Sequence, residues 1–127
     1  MSALGDTRSR LTTALGTLDP KPSVYDHVPE RPAVPAAVVL PATPYVTPDG
    51  VTYGKWLGRF VVALLVPGKV NSPATAELDA LICDVLPALE DADFSVAEVS
   101  SFYSYSANGA QYLAADVTAT DSISIGD

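Results

Sequence analysis

Between Trp56 and Val66 the chain sets apolar residues on both sides of an extended backbone: Trp56, Phe60, Val62, Leu64 and Val66 on one side, Val61, Ala63 and Leu65 on the other. A strand that is apolar on both sides does not sit at the edge of a sheet with one face in water. It requires a central place, or a face that a partner buries. The pattern predicts a long strand over Tyr53–Val66, stopped by Pro67-Gly68. The other elements must be arranged around it.

Upstream, Pro29, Pro32, Pro35, Pro41, Pro44 and Pro48 punctuate the segment. Each proline removes a ladder donor, which excludes this stretch from the middle of a sheet. Val24–Val28 and Ala36–Leu40 are predicted as short strands, and Pro41–Val46 as an edge or a loop arm. Pro48-Asp49-Gly50 signals a turn, proline presetting φ and glycine accepting a positive φ. The segment therefore reads as a proline-rich arm around 29–50, projecting as a hairpin that carries Tyr45, Val46, Tyr53 and Trp56.

Leu4, Leu11, Ala14, Leu15 and Leu18 recur at helical spacing and predict a first helix over Ala3–Leu18, stopped by Asp19-Pro20-Lys21-Pro22. Ser72 as cap and Pro73 at the first helical position open a second helix, with Leu78, Leu81, Ile82, Val85 and Leu89 along one face. Pro87 is expected to end or kink it, leaving Glu90-Asp91-Ala92-Asp93 as an exposed linker. Phe94–Ser106 and Gln111–Ile125 read as two final strands joined through Ala107-Asn108-Gly109, with a bulge near Glu98-Val99. No internal repeat is visible. The sum is one α+β domain over residues 1–127, a mostly antiparallel (mixed) sheet with two helices packed on one face.

A chain of 127 residues can bury a core of its own without staples. Its composition is 48% hydrophobic and 17% charged, which leaves little charge to cover a surface and points to apolar patches used in contacts. The formal charge is −8, which disfavours direct binding to nucleic acid or to an anionic membrane, because both depend on Lys and Arg. A single cysteine, Cys83, excludes an intrachain disulfide. The first eighteen residues carry Asp6, Arg8 and Arg10 and lack the apolar core of a signal peptide, so the protein is expected to be cytosolic where it is made.

Reactive constellations are hard to assemble from these residues. His27, the one histidine, has Tyr25, Asp26 and Glu30 nearby, yet a catalytic triad also needs a positioned nucleophile and an oxyanion hole. A surface histidine is the better reading, and one Cys with one His makes a poor zinc set. Cys83 has Asp79 and Asp84 as neighbours and no basic group to activate it as a nucleophile, so it reads as structural, at the flank of the helix's buried face. Glu90, Asp91 and Asp93 lack a calcium-loop pattern, and Asp116, Asp121 and Asp127 are too spread to make one. Gly54, Gly58 and Gly68 fit neither a dinucleotide fingerprint nor a phosphate loop with Lys69. The aromatic run Phe102, Tyr103, Tyr105 lacks the basic groove of a base-stacking platform and suits a packed or interfacial strand. No catalytic, cofactor or metal residue is assigned.

The order of a leading helix ending in Thr-Ala-Leu, a Val-Tyr-Asp-His-Val-Pro-Glu-Arg-Pro-Ala-Val-Pro-Ala-Ala-Val-Val-Leu segment, an Arg-Phe-Val-Val-Ala-Leu-Leu-Val strand and Asn-Ser-Pro-Ala-Thr-Ala-Glu-Leu-Asp-Ala-Leu-Ile resembles tail terminator proteins of long-tailed actinobacterial phages. The resemblance covers nearly the whole chain. It implies a virion subunit forming a ring, usually a homohexamer, on the head-proximal end of the tail tube. Its implied partners are other copies of itself, the tail tube protein and a head-completion or connector protein, with DNA passing through unbound. No catalytic residue is implied. Two alternatives remain open: a head-tail connector or tail-completion subunit, and a small ligand-binding or enzyme domain using His27. Tyr45, Val46, Tyr53 and Trp56 are the expected interface residues, since aromatics on a projecting arm suit a neighbouring subunit.

Overall fold

The computed structural model describes residues 3–18, 22–26, 35–48, 54–68, 72–107 and 109–124. The chain runs α1 (Ala3–Leu15), β1 (Ser23–Tyr25), β2 (Ala36–Pro48), β3 (Lys55–Pro67), α2 (Ser72–Asp91), β4 (Ser95–Val99), β5 (Tyr103–Ala107) and β6 (Ala110–Ser124). The strands form one six-stranded sheet ordered β1-β2-β3-β6-β4, with β5 also pairing β6. β1 is parallel to β2 and every other pairing is antiparallel, giving the expected mixed α+β sheet.

The two-sided strand takes the central place its pattern demands. β3 pairs with β6 along its whole length, from Lys55 opposite Ser124 to Pro67 opposite Tyr112, and with β2 on its other edge. Phe60, Val62, Leu64 and Val66 are fully buried on one face. They share a core with Ala37 and Val39 of β2, Leu113, Ala115, Val117 and Ala119 of β6, Leu11 and Leu15 of α1, and Leu78, Leu81, Val85 and Leu89 of α2. Both helices therefore lie on the same face.

Three features hold α1 there. Its apolar stripe supplies Leu11, Ala14 and Leu15, and the one buried polar residue on it, Thr7, donates its hydroxyl to the Ala3 carbonyl at 2.9 Å. Arg10 reaches across to Asp121 at 2.5 Å and lies 4.6 Å from the centre of the Phe94 ring. Leu4 at the start of the helix packs toward Gly58 of β3, where a Cβ would stand 3.5 Å from it, an ordinary contact distance.

Of the two forms expected for Pro41–Val46, an edge or a loop arm, the segment takes the first: β2 continues as a strand through Pro41 and Pro44 to Pro48. The physical rule still holds, because β1 pairs only with Ala36–Val38. Beyond that point β2 has β3 on one edge and, among the described residues, no strand on the other, so its prolines interrupt no second ladder. The register shifts between Pro41 and Val46, and the Thr43–Pro44 peptide is cis. Nor is the arm a free hairpin, since β6 runs beside β3 to its end. The turn expected at Asp49-Gly50, and residues 27 and 28 of the first predicted strand, lie outside the described residues.

Pro87 does not end α2, which continues to Asp91, so Glu90 and Asp91 belong to the helix and not to a linker. A proline one turn from the end withdraws its own N–H from the Cys83 carbonyl, and Cys83 faces water, which can replace that donor. The helix ends instead at Asp93, with φ of 67°: the Phe94 N–H donates to the Leu89 carbonyl and the Asp93 N–H to the Glu90 carbonyl, each at 3.0 Å. This is a Schellman cap, closed by the buried pair Leu89 and Phe94. A carboxylate side chain at a left-handed position is strained where glycine is not. Asp93→Gly is expected to stabilise the fold by about 1 kcal/mol, read as a rise in Tm of about 2–5 °C by calorimetry.

Candidate assembly surface

The second face of the sheet carries the other half of β3. Val61, Ala63 and Leu65 lie there with Ala36, Val38 and Leu40 of β2, Tyr112 and Ala114 of β6, and Tyr25 and Tyr105 from the edges. No helical residue belongs to this cluster. Leu40, Val61, Ala63 and Tyr105 are only half-buried. A hollow of about 140 Å³ opens on this face between Val38, Leu40, Val61, Ala63, Leu65, Tyr103, Tyr105 and Asp116. Its walls are almost wholly aliphatic and aromatic, with one carboxylate.

That carboxylate is held by the strand that replaces the predicted Phe94–Ser106. The bulge expected near Glu98-Val99 is present as a register shift between Val96 and Glu98. A second break separates β4 from β5 at Ser100–Phe102. There the Ser100 N–H donates to the Asp116 carbonyl at 2.8 Å, and the Ser100 hydroxyl oxygen accepts the Asp116 N–H at 2.9 Å. One serine side chain thus takes the place of a backbone acceptor and lets the strand step aside. β5 then turns Tyr103 and Tyr105 over the second face. The Tyr103 hydroxyl donates to Asp116 Oδ1 at 2.6 Å, and the Tyr105 and Tyr112 rings lie 6.1 Å apart. The β5–β6 hairpin closes at Ala107 opposite Ala110, with Gly109 at φ 80°.

Arg59 lies in the same row of β3 as Val61 and Ala63, opposite Thr120 of β6. It is half-buried and has no ion-pair partner among the described residues. The sheet edges are less inviting than this face. β1 has three residues, the outer edge of β2 carries Pro41, Pro44 and Pro48, and β4 is bulged. These devices discourage strand addition along β1, β2 and β4, and β5 is only five residues long.

Of the residues expected on a projecting arm, Tyr45 is turned inward. Its ring stands edge-on to Phe60 at 5.5 Å, and its hydroxyl accepts a hydrogen bond from Arg8 at 2.6 Å. The irregularity between Pro41 and Val46 re-aims the side chain, so Tyr45 belongs to the core and not to a free arm. Val46 is half-buried opposite Gly58. Trp56 sits between Pro48 and Ile123 and is 36% exposed. Tyr53, His27 and Glu30 lie outside the described residues. Tyr25 packs at the margin of the second face, Asp26 is exposed, and Cys83 lies on the solvent side of α2, not at the flank of its buried face. Among the described residues no three His, Cys, Asp or Glu side chains gather as a metal site, and no helix is long and apolar enough to cross a membrane.

The tyrosines of this surface were visible in the sequence as a Tyr-rich strand, and the apolar row as the second side of β3. Nothing in the sequence joined them, because the break at Ser100–Phe102 decides which face Tyr103 meets. The chain matches no protein-family model, and no curated protein matches it.

Burial raises the Tyr103 pKa well above the ordinary tyrosine value, and its hydrogen bond to Asp116 and the charge of that carboxylate raise it further. The folded state therefore holds this proton more tightly than the unfolded chain. The resulting stability is present in full below about pH 10 and is lost as pH rises above it. In an alkaline absorbance titration one tyrosine should ionise late, and Tyr103→Phe should abolish that late step. Tyr45→Ala should lower stability by about 1–3 kcal/mol in denaturant unfolding, as a packed ring does and a projecting one does not.

Proposed function

We propose that the chain is a structural virion subunit, a ring-forming tail terminator of a long-tailed phage. It caps the head-proximal end of the tail tube, stops tube polymerisation and presents the surface on which the head is joined. The observation that carries the assembly half of this reading is the second sheet face, apolar, lined by Tyr103 and Tyr105 and covered by neither helix. Such a face is costly to leave in water and favourable to bury against another subunit. The tail-end assignment rests on the resemblance of the sequence.

Two further features support a ring around a conduit. Contacts between unlike surfaces close into rings when the rotation allows, which buries the same patch on every copy. The charge of −8 per chain suits a passage that DNA crosses without adhering. A larger, open hollow lined by Thr12, Thr13, Gly16, Pro22, Ser23 and Val24 has no titratable group in its walls and offers no chemistry to set against this.

Removing the protein from an infection tests the proposal. Tails should grow beyond their normal length and fail to join heads, as seen by electron microscopy. Tails of normal length would overturn it, and a subunit found on the portal side, away from the tube, would make it a connector instead.

A further inference from the structure

Resting on the ring reading, the structure assigns the partner surface of the second sheet face: we infer that it receives the outer side of α2 from the next copy, with Arg59 entering an acidic hollow on that helix. A ring built head to tail needs two different surfaces on each subunit. The sheet face is one.

The other is marked by a second hollow of about 140 Å³, lined by Pro35, Glu77, Ala80, Leu81 and Asp84. Pro35, Ala80 and Leu81 make apolar walls suited to the aliphatic stem of an arginine. Glu77 and Asp84 supply carboxylates for its guanidinium, whose planar fork accepts such paired recognition. The charged residues of the helix itself have the same sign throughout. The exposed side of α2 carries Glu77, Asp79, Asp84, Glu90 and Asp91, and the helix contains no Lys or Arg. No cation of this chain reaches that hollow among the described residues.

A cation to fill it stands on the sheet face. Arg8 is engaged by Tyr45 and Arg10 by Asp121, whereas Arg59 is without an ion-pair partner among the described residues. It adjoins Val61 in an apolar row. The carboxylates on that face stand apart from it: Asp116 is opposite Ala63, four residues along β3, and Glu98 is exposed on β4 at the far side of β6. Pro73, Ala76, Ala80, Cys83 and Pro87 form an exposed stripe along α2 on either side of that hollow. Its small side chains let the helix approach Val61 and Ala63, beside Arg59, closely.

The test is charge exchange, read by native mass measurement of the purified chain. Arg59→Glu alone, and Glu77→Lys with Asp84→Lys, should each weaken self-association on the order of 100-fold, leaving monomers whose thermal unfolding shows an intact fold. Mixing the two variants, or joining all three substitutions in one chain, should restore the assembly. Variants that assemble as the unaltered chain does would overturn the inference while leaving the ring reading standing. So would a mixture of folded variants that stays monomeric. An unaltered chain that remains monomeric, alone and with tail tubes, would overturn both.

Discussion

The fold depends on one strand being buried from both sides. β3 has a neighbour on each edge and apolar side chains on each face, and it cannot be hydrated anywhere along its middle without exposing part of the core. Its helix-facing row, Phe60 to Val66, is sealed inside the domain by α1 and α2. Among the described residues, its other row, Val61 to Leu65, has strand neighbours and the tyrosines of β5 around it and no helix. Leu65 is buried there within the chain, whereas Val61 and Ala63 stay half-buried, and that remainder is what the proposed assembly would cover. At about 25 cal/mol per Å² of apolar surface, even a modest patch contributes several kcal/mol when covered.

That division explains which parts of the structure were legible in the sequence. Period-two alternation through Trp56–Val66 defines β3, and helical spacing of Leu78, Leu81, Val85 and Leu89 defines α2, because in both cases the pattern is the burial. Less legible were places where one interaction overrides a local preference. β2 is a strand despite its prolines, since a single ladder to β3 suffices on an otherwise unpaired edge. α2 passes Pro87 because the only carbonyl deprived of a donor sits on an exposed turn, and it stops where Asp93 accepts a left-handed backbone to let Phe94 pack on Leu89.

The candidate surface was legible in composition and hidden in placement. Tyr103 and Tyr105 announce an aromatic strand, and their alternation with serine says that one side of it differs from the other. Which side meets Asp116 depends on the Ser100 hydroxyl taking over a ladder position, a contact between residues sixteen apart that no local pattern encodes. Tyr45 shows the converse. Its setting between prolines suggests a projecting arm, yet the shift in register between Pro41 and Val46 turns it onto Phe60, where its hydroxyl accepts a hydrogen bond from Arg8. An aromatic near a turn is evidence of an interface only if the backbone around it keeps a regular register.

Edges and faces divide the labour of association. A six-stranded sheet has two edges at which another chain could add as a strand, and here each is compromised: three residues in β1, prolines along the outer edge of β2, a bulge in β4. Strand addition has no natural limit to the number of copies, whereas contact through a face has the orientation that side chains impose. If that contact paired the sheet face with itself, two copies would exhaust it, and Arg59 would meet a face holding its own equivalent. Pairing it with a surface of opposite sign on α2 leaves each copy with one donor and one acceptor surface, and rotation between copies then fixes where the assembly closes. In such a scheme the low charge of the sheet face and the one-signed charge of α2 are two halves of a single specification. Under that proposal the acids that disfavour nucleic acid are also the ones that select which surface of a second copy the sheet face receives.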